Sequence, residues 1–438
     1  MDDAITNINT IGFVFTTVMA VLLFFLPRRL AVLPLLMTAC YITLGQVVGI
    51  GPLHFSVMRI IIFFGFLRVI IRKEWIGFKW NTIDKILVSY VCASAFIHFL
   101  LRLDVDALIN SLGFFYNAFG LYFVFRSLVQ EESDYHLIFK MLALVMVPLA
   151  ILMIVEKSTG RNFFSIFGGV PEYTMIREGR LRCQGAFSHP ILAGTFGATS
   201  VPFFVVLWAM GSGQKIFAVL GIISATVITV TTASSGPVIT YAVVILGLFM
   251  WWIRDNMRTV RWVALFMIIA LHIVMKAPVW ALIGKVSEII GGGGWHRFML
   301  IDAAIEHFSE WWLLGTDYTR HWMPTGVTWS ANHTDITNYY IAIGIRGGLL
   351  SLVLFVAVLV YCFKTIGIRM KELGSTHDYL KFTFWCLGVS LFSHMAAFTS
   401  VSYFDQIIVF WYLLLAMIAA LSVHGALIIS ESPVESDG

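Results

Sequence analysis

The chain has 438 residues, of which 59% are hydrophobic and 12% charged, and its mean hydropathy is +0.86. A soluble globular protein carries about a quarter charged residues, so that class is excluded; a β-barrel would show short alternating segments, which are absent. The formal charge of +4 is spread through the loops and offers no basic patch for nucleic acid.

Apolar runs long enough to span a bilayer recur from end to end. They predict helices at about 11–26, 30–50, 53–71, 83–101, 104–125 and 136–155. Further helices are predicted at about 187–210, 215–233, 236–253, 259–276, 338–363, 380–398 and 403–424. The expected fold is all-α: a polytopic transmembrane bundle of about 12–13 spans, forming one membrane domain over residues 1–438. The start MDDAITNINT is acidic and the first run has no small-residue cleavage site, so that run is expected to stay as a helix. Residues 430–438, ending in ESPVESDG, read as a flexible cytoplasmic tail. Cys40, Cys92, Cys183, Cys362 and Cys386 stand singly, so no disulfide framework or paired-cysteine metal site is expected.

Lysine and arginine concentrate in alternate short loops, namely PRR (27–29), RKEW (72–75), RDNMR (254–258) and KTIGIRMKE (364–372). The other set, GIGP (49–52), ASSG (233–236) and Thr399 to Ser402, carries no such charge. Basic loops stay cytoplasmic, so the N-terminus is expected outside and the C-terminus inside. Two long polar interruptions, 156–186 and 277–337, then both face outward.

The first long loop ends in MIREGRLRCQGAFSHPILAG, with Arg177, Arg180 and Arg182 close together. They read either as a solvated loop or as a clamp for phosphate or carboxylate, which guanidinium binds through a bidentate fork. His189-Pro190 opens the next helix, with proline in the first turn. In the second loop a GGGG break at 291–294 precedes WHRFMLIDAAIEHFSEWWLLG. Phe298, Ile301, Ile305, Phe308 and Trp312 follow helical spacing and predict an amphipathic helix on the membrane surface. Asp302, Glu306 and Glu310 form an acidic row at i, i+4, i+8, read as a wet face or a cation site. Arg297 stands at the start of this helix.

The stretch WSANHTDITNYYIAIGIRGG (329–348) passes from polar to apolar. Ser330 or Asn332 is the expected N-cap, so a helix is predicted to begin at about His333, with Thr337, Tyr340 and Gly344 on its face. Gly344, Gly347 and Gly348 are expected to let a neighbouring helix approach closely. At a helix N-terminus His333 would be held neutral, able to act as a base or to remain a polar interfacial residue. Arg59 lies inside the third apolar run, where a charge is costly and reads either as functional or as a helix-pairing group.

Together these motifs resemble the superfamily of bacterial O-antigen ligases and O-antigen polymerases. RCQGAFSHPILAG looks like that family's arginine, Gly-aromatic and Pro segment. Arg297 followed by IEHFSEWWLLGTD looks like its arginine-led periplasmic helix, and His333 with Gly344 has its histidine–glycine spacing. The resemblance covers roughly residues 177–350. Four residues separate His333 from Asn338, where the family often has asparagine next to the histidine, and Arg346 stands where an uncharged residue is usual.

The resemblance implies metal-independent, inverting glycosyl transfer at the periplasmic face of the inner membrane. The donor would be a glycan on undecaprenyl diphosphate and the acceptor a growing glycan, with no cofactor. His333 would be the base. Arg182 and Arg297 would bind the diphosphate, with Arg177, Arg180 and Arg59 as further candidates. Other polysaccharide-assembly proteins are possible partners. The leading expectation is a polymerase of O-antigen or exopolysaccharide repeat units. The alternatives are a ligase moving the finished glycan to lipid A-core or protein, and, from another class, a transporter or flippase. The transporter is disfavoured by the absence of paired discontinuous helices or an intramembrane acid chain, Asp405 being the one carboxylate to test.

Overall fold

The structure, a computed structural model, describes residues 6–76, 78–290, 293–373 and 378–430. The expected tail beyond Ser430 and two glycines of the GGGG break lie outside the described residues. The protein is mostly helical, at 74%. The first half holds α1 (Thr10–Phe25), α2 (Val32–Tyr41), α3 (Val57–Ile71), α4 (Thr82–Arg102), α5 (Val105–Leu128) and α6 (Glu132–Thr159). Next come α7 (Pro190–Ala209), α8 (Lys215–Thr231), α9 (Ser235–Phe249), α10 (Met257–Val274), α11 (Ala281–Ile290) and α12 (Gly294–Glu306). The chain closes with α13 (Phe308–Trp311), α14 (Tyr339–Glu372), α15 (Asp378–Phe398) and α16 (Ile407–Ser430).

Among the described residues seven stretches are long and apolar enough to cross a membrane: α4, α5, α6, α7, α8 with its leading turn, α9 continued through α10, and α14. This is a polytopic helical membrane bundle. α16 and α7 form its centre. Almost every described side chain of α16 is buried, because that helix is apolar on all faces. α7 is rich in small residues: a Cβ on Gly194 would lie 2.7 Å from atoms of Thr232 and Pro237, and one on Gly197 2.7 Å from atoms of Ala225 and Thr229. Small residues of this kind let helices pack backbone to backbone.

The run at 30–50 is not one helix. α2 has 10 residues, and the chain then forms β2 (Gln46–Ile50), which pairs in parallel with β1 (Thr6–Asn7) and antiparallel with β3 (Leu53–Ser56). Ten residues rise about 15 Å, half a bilayer. The cause is a tertiary contact. Gly45 packs directly on the backbone of Gly168 and Gly169, and Gln46 Nε2 donates to Phe167 O at 2.5 Å. The first long loop thus seats itself where the helix would have continued.

α14 is broken at Gly347 and Gly348, where Gly348 has φ 65 and ψ −173. The segment after α13 fills the break: Leu349 N–H donates to Trp312 O at 2.7 Å, and Thr316 N–H to Ile345 O at 2.8 Å. The expected role of the glycines is corrected at Gly348. Gly344 lets α13 approach through the Trp311 ring and Gly347 abuts α4 at Ser94, whereas Gly348 makes room for the Leu313 carbonyl rather than for a helix. A Cβ on Gly348 would sit 2.3 Å from Leu313 O. Gly348→Ala should therefore destabilise the protein by on the order of 1–3 kcal/mol from the positive φ alone, with the clash added. Gly367→Ala, in the same helix with open space around it, is the control. Equal thermal unfolding of the two detergent-solubilised variants would show that the break is dispensable.

Candidate active site

The arginines of the first loop lie on a hairpin of β4 (Met175–Arg177) and β5 (Arg180–Arg182). Glu178 and Gly179 turn it, both at positive φ (53 and 72), the two-residue turn that matches strand twist. Arg177 pairs with Arg180 and Met175 with Arg182. Cross-strand partners share a face, so all three arginines project from one side. The hairpin's end is pinned between helices. Glu156 of α6 accepts from the Gln184 and Gly185 amides at 3.1 and 3.0 Å, and Cys183 N–H donates to Thr231 O at 3.2 Å.

This pinning buries Arg182, which is only 5% exposed, while Arg177 and Arg180 remain in solvent. Arg182 Nη2 donates to Ser234 Oγ at 2.7 Å, and its Nε is shut off from solvent without a partner. Ser234 precedes α9, whose N-terminus has no side-chain cap. Arg297, in the first turn of α12 and 7% exposed, reaches the start of α9 from the other long loop. A Cβ on Gly236 would lie 3.7 Å from Arg297 Nη2 and 3.2 Å from Ser400 Oγ. Among the described residues neither guanidinium has a carboxylate within ion-pair distance. Burial, then the Arg177 charge, holds both below the usual guanidinium value, and Glu178 partly offsets this at Arg182. They remain cations.

His189 belongs to this cluster. It is the N-cap of α7, and its Nδ1 accepts from Ile191 N–H at 3.2 Å. Burial, then Arg182 and Arg177, pushes its pKa down to about 4. The ring is therefore neutral at pH 7, with its hydrogen on Nε2. Next to it, Asp405 Oδ2 accepts from Ser188 N–H at 2.7 Å, while Oδ1 is enclosed and unpartnered. Burial raises this carboxyl to about 7. The result is two buried cations and a neutral imidazole around an uncapped helix N-terminus, an arrangement suited to an anion.

His333 is elsewhere, and not on a helix. It lies in β7 (Ser330–Thr334), paired with β6 (Gly326–Val327), and the true N-cap of α14 is Asn338, which accepts from Ile341 N–H at 3.2 Å. The strand prevails because its backbone is already committed: Thr319 N–H donates to Asn332 O at 2.9 Å, and Thr334 N–H to Thr319 Oγ1 at 3.2 Å. The helix-face grouping of His333 with Thr337, Tyr340 and Gly344 is therefore lost. His333 Nδ1 shares a 2.7 Å hydrogen bond with Ser330 Oγ, and its ring stacks on Trp329. Burial holds the imidazole below its ordinary value, with Arg102 adding to this and Asp317 opposing it. Its link to the arginines is indirect. His296, next to Arg297, bonds Asp335 O at 2.9 Å, and Ser402 Oγ donates to Ile336 O at 2.5 Å.

Arg59 does not join the cluster. Its Nη1 donates to His54 O at 2.7 Å and its Nε to Asn117 Oδ1 at 3.2 Å, so it braces α3 against α5. The acidic row is also corrected: α12 ends at Glu306, Asp302 accepts from Trp280 Nε1 at 2.6 Å, and Glu310 lies beyond the break. Of the predicted apolar stripe, Ile305, Phe308 and Trp312 are exposed and Phe298 and Ile301 half-buried, while Arg297, Leu300 and Ala304 pack inward. Sequence reading missed His189, Ser234, Gly236 and Ser400. The available signal was SSGP before an apolar run, serine and proline at a helix start, in a loop noted only for lacking charge. The chain matches no protein-family profile, and no curated protein matches it.

Proposed function

We propose that this protein is a membrane glycosyltransferase that polymerises lipid-diphosphate-linked repeat units at the outer face of a bacterial inner membrane. The observation that carries the reading is the convergence of Arg182 and Arg297, both buried and, among the described residues, without a carboxylate in ion-pair distance, on the uncapped N-terminus of α9. Buried cations without counter-ions are expensive to maintain. A diphosphate supplies the missing charge, and as a leaving group it gains negative charge in the transition state, where fixed donors are most effective. The His189 Nε2–H adds a neutral donor.

His333 is the proposed base. With its ring hydrogen on Nδ1, donated to Ser330 Oγ, Nε2 is left to take the proton of the attacking hydroxyl. In an inverting transfer the nucleophile and the leaving group lie on opposite faces of the anomeric carbon. A base separated from the arginines fits that requirement better than one among them. The break in α14 does not favour a transporter, because Trp312 O and Thr316 N–H already satisfy its freed backbone groups.

Depleting the protein from its cells should leave single repeat units on the lipid carrier, read as one band where a ladder stood. Full-length polymer stranded on lipid would indicate a ligase instead, and repeat units trapped on the cytoplasmic leaflet a flippase. Either outcome overturns the proposal.

A further inference from the structure

We propose that His307, Glu310 and His321 form a binding site for one zinc ion, which fastens the helix carrying Arg297 to the strand carrying His333. The transfer chemistry above neither supplies nor requires this site. His307 is the residue at which α12 stops, Glu310 lies on α13, and His321 lies in the single turn Arg320–Trp322. His307 Nδ1 and His321 Nε2 approach the same oxygen, Glu310 Oε1, at 2.9 and 3.0 Å. The three ligand atoms all lie within 4.8 Å of one another. A tetrahedral zinc with bonds of about 2.1 Å spaces its ligands about 3.4 Å apart, so small side-chain rotations complete the site.

The surroundings hold these groups in place. Trp322 Nε1–H donates to Glu310 Oε2 at 3.0 Å, which fixes the carboxylate and leaves Oε1 free to ligate. The Trp322 ring, itself buried, lies parallel to His307 at 6° and 5.6 Å, and Tyr318 stacks on His321 at 5.0 Å. An outer hydrogen bond of the Trp322 kind orients metal ligands generally. Two imidazoles and one carboxylate suit zinc; calcium and magnesium prefer all-oxygen sets. The partial exposure of the three side chains, 25 to 36%, leaves a fourth position for water.

The site closes a structural gap. Thr319, two residues before His321, holds β7 through Asn332 and Thr334. An ion on His321 therefore anchors the His333 strand to the end of α12.

The test uses the full chain, purified without a histidine tag, stripped with chelator and dialysed against Zn2+. One zinc per chain is expected. His307→Ala and His321→Ala should each weaken binding by more than about a hundredfold, and Trp322→Phe by about ten- to a hundredfold, as an outer-sphere partner does. Zinc should raise the melting temperature of the wild type and of neither histidine variant. In chelator the variants should melt with the stripped wild type, which separates lost ligation from misfolding; His321→Gln replaces the alanine if they do not. Substoichiometric zinc in the wild type, or full zinc in both histidine variants, would overturn the proposal.

Discussion

Arg182→Met should abolish glycan polymerisation and leave the protein at least as stable as wild type. The Arg182 guanidinium is buried, carries an unpartnered Nε, and has Arg177 as a like-charged neighbour; among the described residues no carboxylate is in ion-pair range, and Glu178 offsets the cost only in part. Replacing this only partly compensated buried cation with an apolar side chain removes a desolvation cost. If the charge is kept for binding, the variant exchanges function for stability. Activity should fall on the order of a hundred- to a thousandfold, as when one preorganised transition-state donor is removed. Arg182→Lys and Arg297→Lys keep the charge but lose the bidentate fork, and each should cost about tenfold or more. The measurements are the polymer ladder at matched protein level and the thermal unfolding midpoint. A less stable but active Arg182→Met would make the arginine a structural strut and remove the basis of the proposed donor site.

His333→Ala should stop chain growth while single lipid-linked repeats accumulate, a loss of about a hundredfold to ten-thousandfold for a general base. The residue is only partly buried and its main hydrogen bond is local, to Ser330, so expression should hold. Ser330→Ala removes the group that fixes the ring and should lower turnover less than loss of the imidazole. The pH profile gives an independent reading. A base works in its neutral form, and burial lowers the pKa of this imidazole. Wild-type activity should therefore persist as pH falls through about 6.5, the unperturbed value, and decline only below it. An acid limb above that point, or a normal ladder from His333→Ala, would mean that another group takes the proton.

Much of the bundle was legible because hydropathy and run length belong to the residues themselves. The helices α4 to α8 lie within a few residues of where apolar runs predict them, and proline after His189 marks the start of α7 wherever that helix packs. The three arginines were also visible, by their closeness in sequence, although the hairpin that puts them on one side was not. Tertiary structure decided what no local pattern holds. It truncated the second run by seating Gly168 and Gly169 on Gly45, and it broke α14 by offering Trp312 O and Thr316 N–H to the opened backbone. It placed His333 in a strand, because Thr319 had already taken the backbone bonds a helix would need. Most of all, it brought Arg182 and Arg297 from separate loops to one helix terminus at Ser234 and Gly236. Helical and strand periods report which face of an element is apolar. Which elements then meet depends on many weak packing contacts summed over the whole chain.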